Sequence, residues 1–324
     1  MKDKQPCVCT IEAPCKINLH LEIKEKREDG FHSLESLFAP LDFGDTLRFE
    51  CAGDEGQLEL SMDWETEEDS VSGIPLEANL VFRSVSLFRE RTGYEKGLRI
   101  HVTKRIPVGA GLGGGSSDAA SSLLALNSLA KNPLSTQELS QMAALLGSDV
   151  PFFLSGGAAF VGGRGEIVEP VKIPGGLWVI LEKPPFSSET GSAFALLDRA
   201  RGSDFCGVER EGLSKEALIH SLKDDPCTWP FFNDFLPVFM NHLPRENSVA
   251  YKTILEALRK KGASFAGLSG AGACCFGVFT AKETALAAAK ALGTELPGRY
   301  PPTGANFIKL TFFLAHKAIP VLEY

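Results

Sequence analysis

Pro107-Val108-Gly109-Ala110-Gly111-Leu112-Gly113-Gly114-Gly115-Ser116-Ser117-Asp118 is the stretch that decides how this chain reads. Five of the seven residues from Gly109 to Gly115 are glycine, so the backbone can take φ > 0 and turn several N–H groups toward one concavity. Just upstream, Leu98, Ile100 and Val102 alternate with Arg99, His101 and Thr103, a half-exposed strand that runs into the loop. Just downstream, Ala119, Ala120, Leu123 and Leu124, with Asn127 as the polar exception, predict an amphipathic helix over 116–130. Ser116 is its natural N-cap. A helix N-terminus adds free N–H groups and the positive end of a dipole, so the segment reads as an anion cradle. A flexible linker does not suit a stretch that joins a strand to a helix.

Two well-known phosphate loops are excluded. Residues 109–114 formally match G-x-G-x-x-G, but a dinucleotide fold wants a buried parallel strand before the loop and an acid about 20 residues beyond it. Here the preceding strand is half polar and Glu138 falls in a helical pattern. No lysine follows the last glycine, which removes the Walker A loop.

Outward from the loop, the first half mixes strands and helices. Strict alternation over 17–23 predicts a half-buried strand, and 45–51 and 57–63 two more across the turn at 53–56. Residues 64–74 are acidic and serine-rich, a surface loop. Helices are expected at 79–91 and at 136–146, the latter stopped by Gly147, and strands at 158–161 and 166–171. Pro174-Gly175-Gly176 breaks both element types and divides the chain into domains 1–174 and 175–324. The second half shows strands at 177–181, 264–268, 275–279 and 307–314. Its helices fall at 192–199, 215–222, 233–241, 249–261 and 282–292, and 202–230 is poorly patterned. Strands solvated on one face favour an α+β architecture of antiparallel or mixed sheet.

Composition sets the outer bounds. The 324 residues are 44% hydrophobic and 23% charged, as expected for a globular chain of about two domains. A net charge of −8 argues against a nucleic-acid partner. Met1 to Cys9 has no apolar signal region, and no apolar run approaches the roughly 20 residues a membrane span needs. The eight cysteines form no CxxC pair and no zinc-like spacing, so no metal site is expected and they read as reduced thiols. A cytoplasmic location follows.

The glycine run resembles the second motif of the galactokinase, homoserine, mevalonate and phosphomevalonate (GHMP) kinase superfamily. Ala13-Pro14-Cys15-Lys16-Ile17-Asn18-Leu19 and Gly267-Leu268-Ser269-Gly270-Ala271-Gly272-Ala273 stand in the order of its other two motifs. Arg27-Glu28-Asp29-Gly30-Phe31-His32 and Gly147-Ser148-Asp149-Val150-Pro151-Phe152-Phe153 are similar to the branch that acts on 4-diphosphocytidyl-2-C-methyl-D-erythritol in the non-mevalonate isoprenoid pathway. Where that branch carries Tyr before the histidine, this chain has Phe31, and the hydroxyl is lost.

The resemblance implies a two-domain fold: an N-terminal domain like ribosomal protein S5 domain 2 and a ferredoxin-like C-terminal α/β sandwich. It also implies ATP-dependent phosphorylation of the 2-hydroxyl, giving the 2-phosphate and ADP, in a monomer or homodimer with small-molecule partners. Asp149 becomes the base or positioner of the acceptor, with Lys16 beside it favouring the charged carboxylate. Asn18, Phe31, His32, Asp149, Thr190 and Phe194 become substrate contacts, His32 reading cytosine. Asn79, Lys104, Pro107, Gly109, Gly111, Leu112, Gly113, Gly114, Gly115, Ser116 and Ser117 become ATP contacts, with Mg2+ on the phosphates. Gly270-Ala271-Gly272 becomes a turn supporting the loop.

Without the resemblance these residues read plainly: Asp149 as a cap, Lys16, Asn18 and His32 as surface, Phe194 as helix core. Two rivals stay open. One is a homoserine- or mevalonate-type GHMP kinase, against which Phe31-His32 stands. The other is a non-catalytic nucleotide sensor, against which the retention of Lys16 with Asp149 stands.

Overall fold

The computed structural model describes residues 8–65, 75–202, 212–295, 307–315 and 318–323. β1 (Val8–Lys26) and β2 (His32–Cys51) form a long antiparallel pair around a tight turn in which Gly30 adopts φ 84°. β3 (Leu58–Trp64) leads into α1 (Leu80–Thr92), which carries the chain back to β4 (Leu98–Lys104). Asn79 caps α1 by accepting from the Val81 N–H, and Gly93 closes it at φ 68°. After the glycine loop come α2 (Gly114–Leu129), α3 (Thr136–Leu146) with a capping box between Ser135 and Glu138, and the short α4 (Val150–Ser155). β5 (Ala159–Gly163) and β6 (Ile167–Pro170) complete this half.

The chain then changes sheet. β7 (Trp178–Lys183), β8 (Phe265–Leu268), β9 (Cys275–Phe279) and β10 (Phe307–Phe312) form an antiparallel sheet in the order β10-β7-β9-β8. Between and after them lie α5 (Thr190–Arg201), α6 (Lys215–Ser221), α7 (Phe235–His242), α8 (Arg245–Lys260) and α9 (Lys282–Glu295). The crossover falls between β6 and β7, where the Pro-Gly-Gly break stands. The last strand, β11 (Val321–Glu323), returns to the first sheet and pairs with β1.

Four layers result. Helices α1 to α4 cover one face of the first sheet through a core that includes Ile11, Phe49, Phe88, Leu123 and Phe152. The two sheets pack face to face through Ile17, Leu19, Leu37 and Leu41 against Leu181, Phe276 and Val278. Helices α5, α7, α8 and α9 cover the far face of the second sheet through Ile180, Phe239, Tyr251 and Ile254. Mixed sheet and segregated helices make this the α+β architecture expected. Among the described residues no helix is long and apolar enough to cross a membrane.

Several expectations need correction. The strand at 17–23 is not solvated on one face: Asn18 and His20 are buried as fully as Ile17 and Leu19, because the second half of the chain packs on the side they occupy. β3 does not pair with β2 across the 53–56 turn; β4 lies between them, antiparallel to β2 and parallel to β3. α2 starts at Gly114 with Gly113 as N-cap, not at Ser116. It is buried nearly all round, since it lies between the sheet and three other helices. Residues 66–74 of the acidic loop, 203–211 of the poorly patterned stretch and 1–7 of the N-terminus lie outside the described residues.

One buried side chain ties the layers together. Asn233 donates to the carbonyls of Leu268 at 2.9 Å and Gly270 at 2.8 Å, and accepts from the Phe235 N–H at 2.9 Å. Asn233→Asp would put a carboxylate against two carbonyl oxygens and leave both unpaired. Each loss costs about 1–3 kcal/mol, so urea unfolding should show a destabilisation of about 2–6 kcal/mol; an unchanged midpoint would contradict this placement.

Candidate active site

The glycine loop is held by its carbonyls. Gly109 O accepts from the N–H groups of Ser188 at 2.9 Å and Ala273 at 3.0 Å, and Ala110 O from Cys274 N–H at 3.1 Å. Gly111 O accepts from Ser269 Oγ at 2.9 Å, and Leu112 O from Lys16 N–H at 2.9 Å. Within the described residues the N–H groups of 108–113 donate to no protein acceptor. A backbone whose acceptors are all used and whose donors are all free is built to bind an anion. Gly109, Gly111 and Gly113 take φ of 62°, 71° and 73°, whereas Gly114 and Gly115 open α2. The Gly270–Gly272 turn does support the loop: a Cβ on Gly111 would lie 2.1 Å from the Ser269 carbonyl oxygen.

Below the loop lies a cavity of about 480 Å³. Lys16 and Asn18 reach it from β1, and Asp149 from the N-cap of α4. Lys16 Nζ is 3.4 Å from Asp149 Oδ2, donates to Asn18 Oδ1 at 2.6 Å and sits 4.3 Å above the Phe38 ring. Asn18 Nδ2 in turn donates to Ser36 Oγ at 3.0 Å. Asp149 occupies an N-cap position, yet its side chain makes no cap bond; the carboxylate faces the cavity instead. This arrangement presents an oriented carboxylate, backed by a buried cation, to whatever group enters.

A second polar cluster lies under the loop. Lys104 Nζ donates to Asp45 and, at 2.6 Å, to Asp118 Oδ2. Asp45 Oδ1 also accepts from the N–H groups of Arg105 at 2.5 Å and Ile106 at 2.9 Å. Burial pulls the Lys104 ammonium down, but the two carboxyls outweigh it and hold it above the ordinary lysine range. Burial pushes the Asp118 carboxyl up to about 7, against Lys104 and with help from Asp45. Asp118 Oδ1 has no partner. The sequence reading missed both carboxyls; the only clue was that Asp118 ends the glycine motif.

Of the residues expected to meet ATP, Asn79, Lys104, Pro107, Gly109, Gly111, Leu112, Gly113, Gly114, Gly115 and Ser116 line the cavity. Ser117 does not: it is fully buried and its Oγ has no partner. Lys104 is present, but its ammonium is already committed to two carboxyls.

At the other end, Thr190 and Phe194 of α5 line the cavity. His32 stacks on Phe194 with centroids 5.1 Å apart and planes 21° from parallel. Its Nε2 lies 2.8 Å from Asp198 Oδ1, a partner no pattern in the sequence reveals. Neither His32 nor Phe31 is among the residues that line the cavity. Phe31 is 53% exposed, and the Arg164 guanidinium sits 4.9 Å from its ring centroid.

Comparison with known proteins gives this arrangement its class. The model of the GHMP kinase N-terminal domain matches residues 79–157, and that of the GHMP kinase C-terminal domain matches 239–298. The fold is that of a GHMP kinase. A solved 4-(cytidine 5'-diphospho)-2C-methyl-D-erythritol kinase superposes with a TM-score of 0.71 at 30% identity, covering 94% of this chain and 99% of that one. The chain is 37% identical to the 4-diphosphocytidyl-2-C-methyl-D-erythritol kinase of Synechococcus sp. (strain CC9605), over 89% of this chain and 92% of the relative. It is 36% identical to the chloroplastic enzyme of that name from Oryza sativa subsp. japonica, over 82% of this chain but 63% of the rice protein's length. The chain belongs to the 4-diphosphocytidyl-2-C-methyl-D-erythritol kinase family.

Two outcomes test this geometry. Gly111→Ala forces a Cβ onto backbone at φ 71°, whereas at Gly115 the nearest atom is a Leu80 methyl at 3.6 Å. Differential scanning fluorimetry should show Gly111→Ala strongly destabilised and Gly115→Ala unchanged or slightly more stable, because alanine favours helix over glycine by about 0.5–1 kcal/mol. Asp118 gives a pH signature. Its folded carboxyl holds a proton up to about 7 where the free side chain releases it near 3.8, so its contribution is full below 3.8 and is lost as pH rises through 7. Asp118→Asn removes that slope, at most about 1.4 kcal/mol per pH unit. The stability of the parent relative to the variant should fall across this window; parallel curves would refute the shift.

Proposed function

We propose that this protein transfers the γ-phosphoryl group of ATP to the 2-hydroxyl of 4-diphosphocytidyl-2-C-methyl-D-erythritol, releasing the 2-phosphate and ADP. The observation that carries the reading is the row of unbonded N–H groups at 108–113, on residues that line the same cavity as the Lys16–Asp149 pair. The cradle would take the nucleotide phosphates, with α2's N-terminus adding its dipole. The acceptor hydroxyl would hydrogen-bond to Asp149. As its oxygen bonds to the γ-phosphorus and the bond to the β-bridging oxygen breaks, the proton passes to that carboxylate. Lys16 holds Asp149 in place and offsets the growing negative charge, while Asn18 keeps Lys16 oriented. His32 and Phe194 would hold the cytosine end.

Magnesium belongs to the proposal. Among the described residues no group of three or more His, Cys, Asp or Glu could hold a cation unaided. That fits an ion carried on the nucleotide's own oxygens and completed by water. When bound, the ion neutralises charge on the β- and γ-phosphates. A cytoplasmic setting and small-molecule partners complete the reading.

The test is turnover across acceptors. With ATP and Mg2+, the cytidine compound should be phosphorylated, and homoserine and mevalonate should not. Asp149→Asn should lower kcat by about 100-fold or more, the usual scale for an acid–base group, while calorimetry shows ATP binding intact. Good turnover of homoserine or mevalonate would move the chain to another acceptor class, and near-normal turnover by Asp149→Asn would remove the carboxylate from the mechanism.

A further inference from the structure

His32 is gripped by two residues four apart on α5, which share one face of the helix. Phe194 lies against the ring's face and Asp198 takes its edge at Nε2, at 2.8 Å. The other Asp198 oxygen accepts from Lys26 Nζ at 2.8 Å, and Lys26 pairs with His32 across the β1–β2 ladder. A carboxyl on the second half of the chain thus holds both residues at the mouth of a turn on the first half. The turn is closed by its own bonds, Arg27 N–H to Phe31 O at 2.7 Å and Gly30 N–H to Arg27 O at 3.1 Å. Arg201, at the end of α5, reinforces the clasp by donating to Ile23 O at 2.6 Å.

We propose that Asp198 is a positioning residue that fixes the tautomer of His32 and so makes the site read an amino donor on the base. The inference rests on the cytidine reading above and deepens it. Partial burial pushes the Asp198 carboxyl up, but the Lys26 hydrogen bond and the His32 ring outweigh this and hold it below its ordinary range. An ionised carboxylate only accepts, so the proton sits on Nε2 and the lone pair on Nδ1. Among the described residues nothing hydrogen-bonds to Nδ1. A lone pair there suits the exocyclic amine of cytosine and repels the carbonyl oxygen that uracil carries at the same position. A neutral ring with the proton on Nδ1 would have the opposite preference. Asp198 therefore sets the sign of the discrimination without touching the base.

The experiment has a spectroscopic arm and a kinetic arm, both on the full chain at about pH 8.5, on the alkaline side of the ordinary imidazole range. Nitrogen-15 shifts of labelled His32 should show Nε2 protonated and Nδ1 bare; a proton on Nδ1, in a neutral or a charged ring, overturns the proposal. Asp198→Asn keeps the shape but can offer either an oxygen or an amide to Nε2, so the tautomer is released. The cytidine-to-uridine ratio of kcat/KM should then fall about tenfold or more, the scale of one mispaired buried group. The change should lie in KM for the cytidine acceptor, with kcat and the KM for ATP nearly unchanged, and Asp198→Glu should restore part of it. An unchanged ratio in a variant that melts like the parent overturns the proposal, because a purely structural role would not touch base preference. If the wild type turns over neither nucleotide acceptor, the cytidine reading fails and the base-reading role fails with it. The nitrogen shifts then report separately whether Asp198 holds the tautomer.

Discussion

The structure depends on the way the glycine loop gives away its carbonyls. Four consecutive acceptors, from Gly109 to Leu112, are taken by groups outside the loop: Ser188, Ala273, Cys274 and Ser269 from the second half, and Lys16 from β1. This one set of bonds fixes the two halves against each other and turns the loop's N–H groups inward. It also sets the spacing between the cradle and Lys16, since the backbone of Lys16 is itself one of the donors. A charged ligand would meet dipoles already in place, and a site of that kind stabilises charge without reorganising when the ligand arrives.

The same docking explains the unusual polar content of the core. Lys16, Asn18, Ser36 and Ser269 are all buried, and each has a partner from a different stretch of chain. The Lys104 cluster repeats the pattern one layer away, with one ammonium serving two carboxyls. Burial, with that imbalance adding to it, leaves Asp118 able to hold a proton near neutrality, which reduces negative charge beneath the loop. Buried charge here serves the site more than the fold.

Much of this was legible in the residues, wherever the signal is local. The glycine run, the helix over 136–146 with its stop at Gly147, and the alternation over 98–102 each depend on near neighbours, and each corresponds to an element observed. What stayed hidden depends on distant ones. Asn18 and His20 look solvent-facing because the layer that buries them comes from the far half of the chain. β4 enters between β2 and β3 because α1 returns the chain across the sheet, and alternation cannot report strand order. Ser116 has the chemistry of an N-cap, yet the helix already begins at Gly114. The pairing of His32 with Asp198 spans 166 positions and carries no motif. Phe31 is held under Arg164 while His32 stacks on Phe194, so two neighbours in sequence face different partners.

The return of β11 to β1 joins opposite ends of the chain, with Val8 facing Glu323 and Thr10 facing Val321. An uncovered strand edge is a template for pairing with other molecules. On this side of the sheet the cover is supplied by a strand from far along the sequence. Until β11 has been made and has docked, the outer edge of β1 stays open however well the glycine loop and its helices have formed. The first sheet therefore carries a contact of very high sequence separation, the kind that forms late. Loss of β11 would remove none of the residues that line the cavity while exposing a ready surface for aggregation.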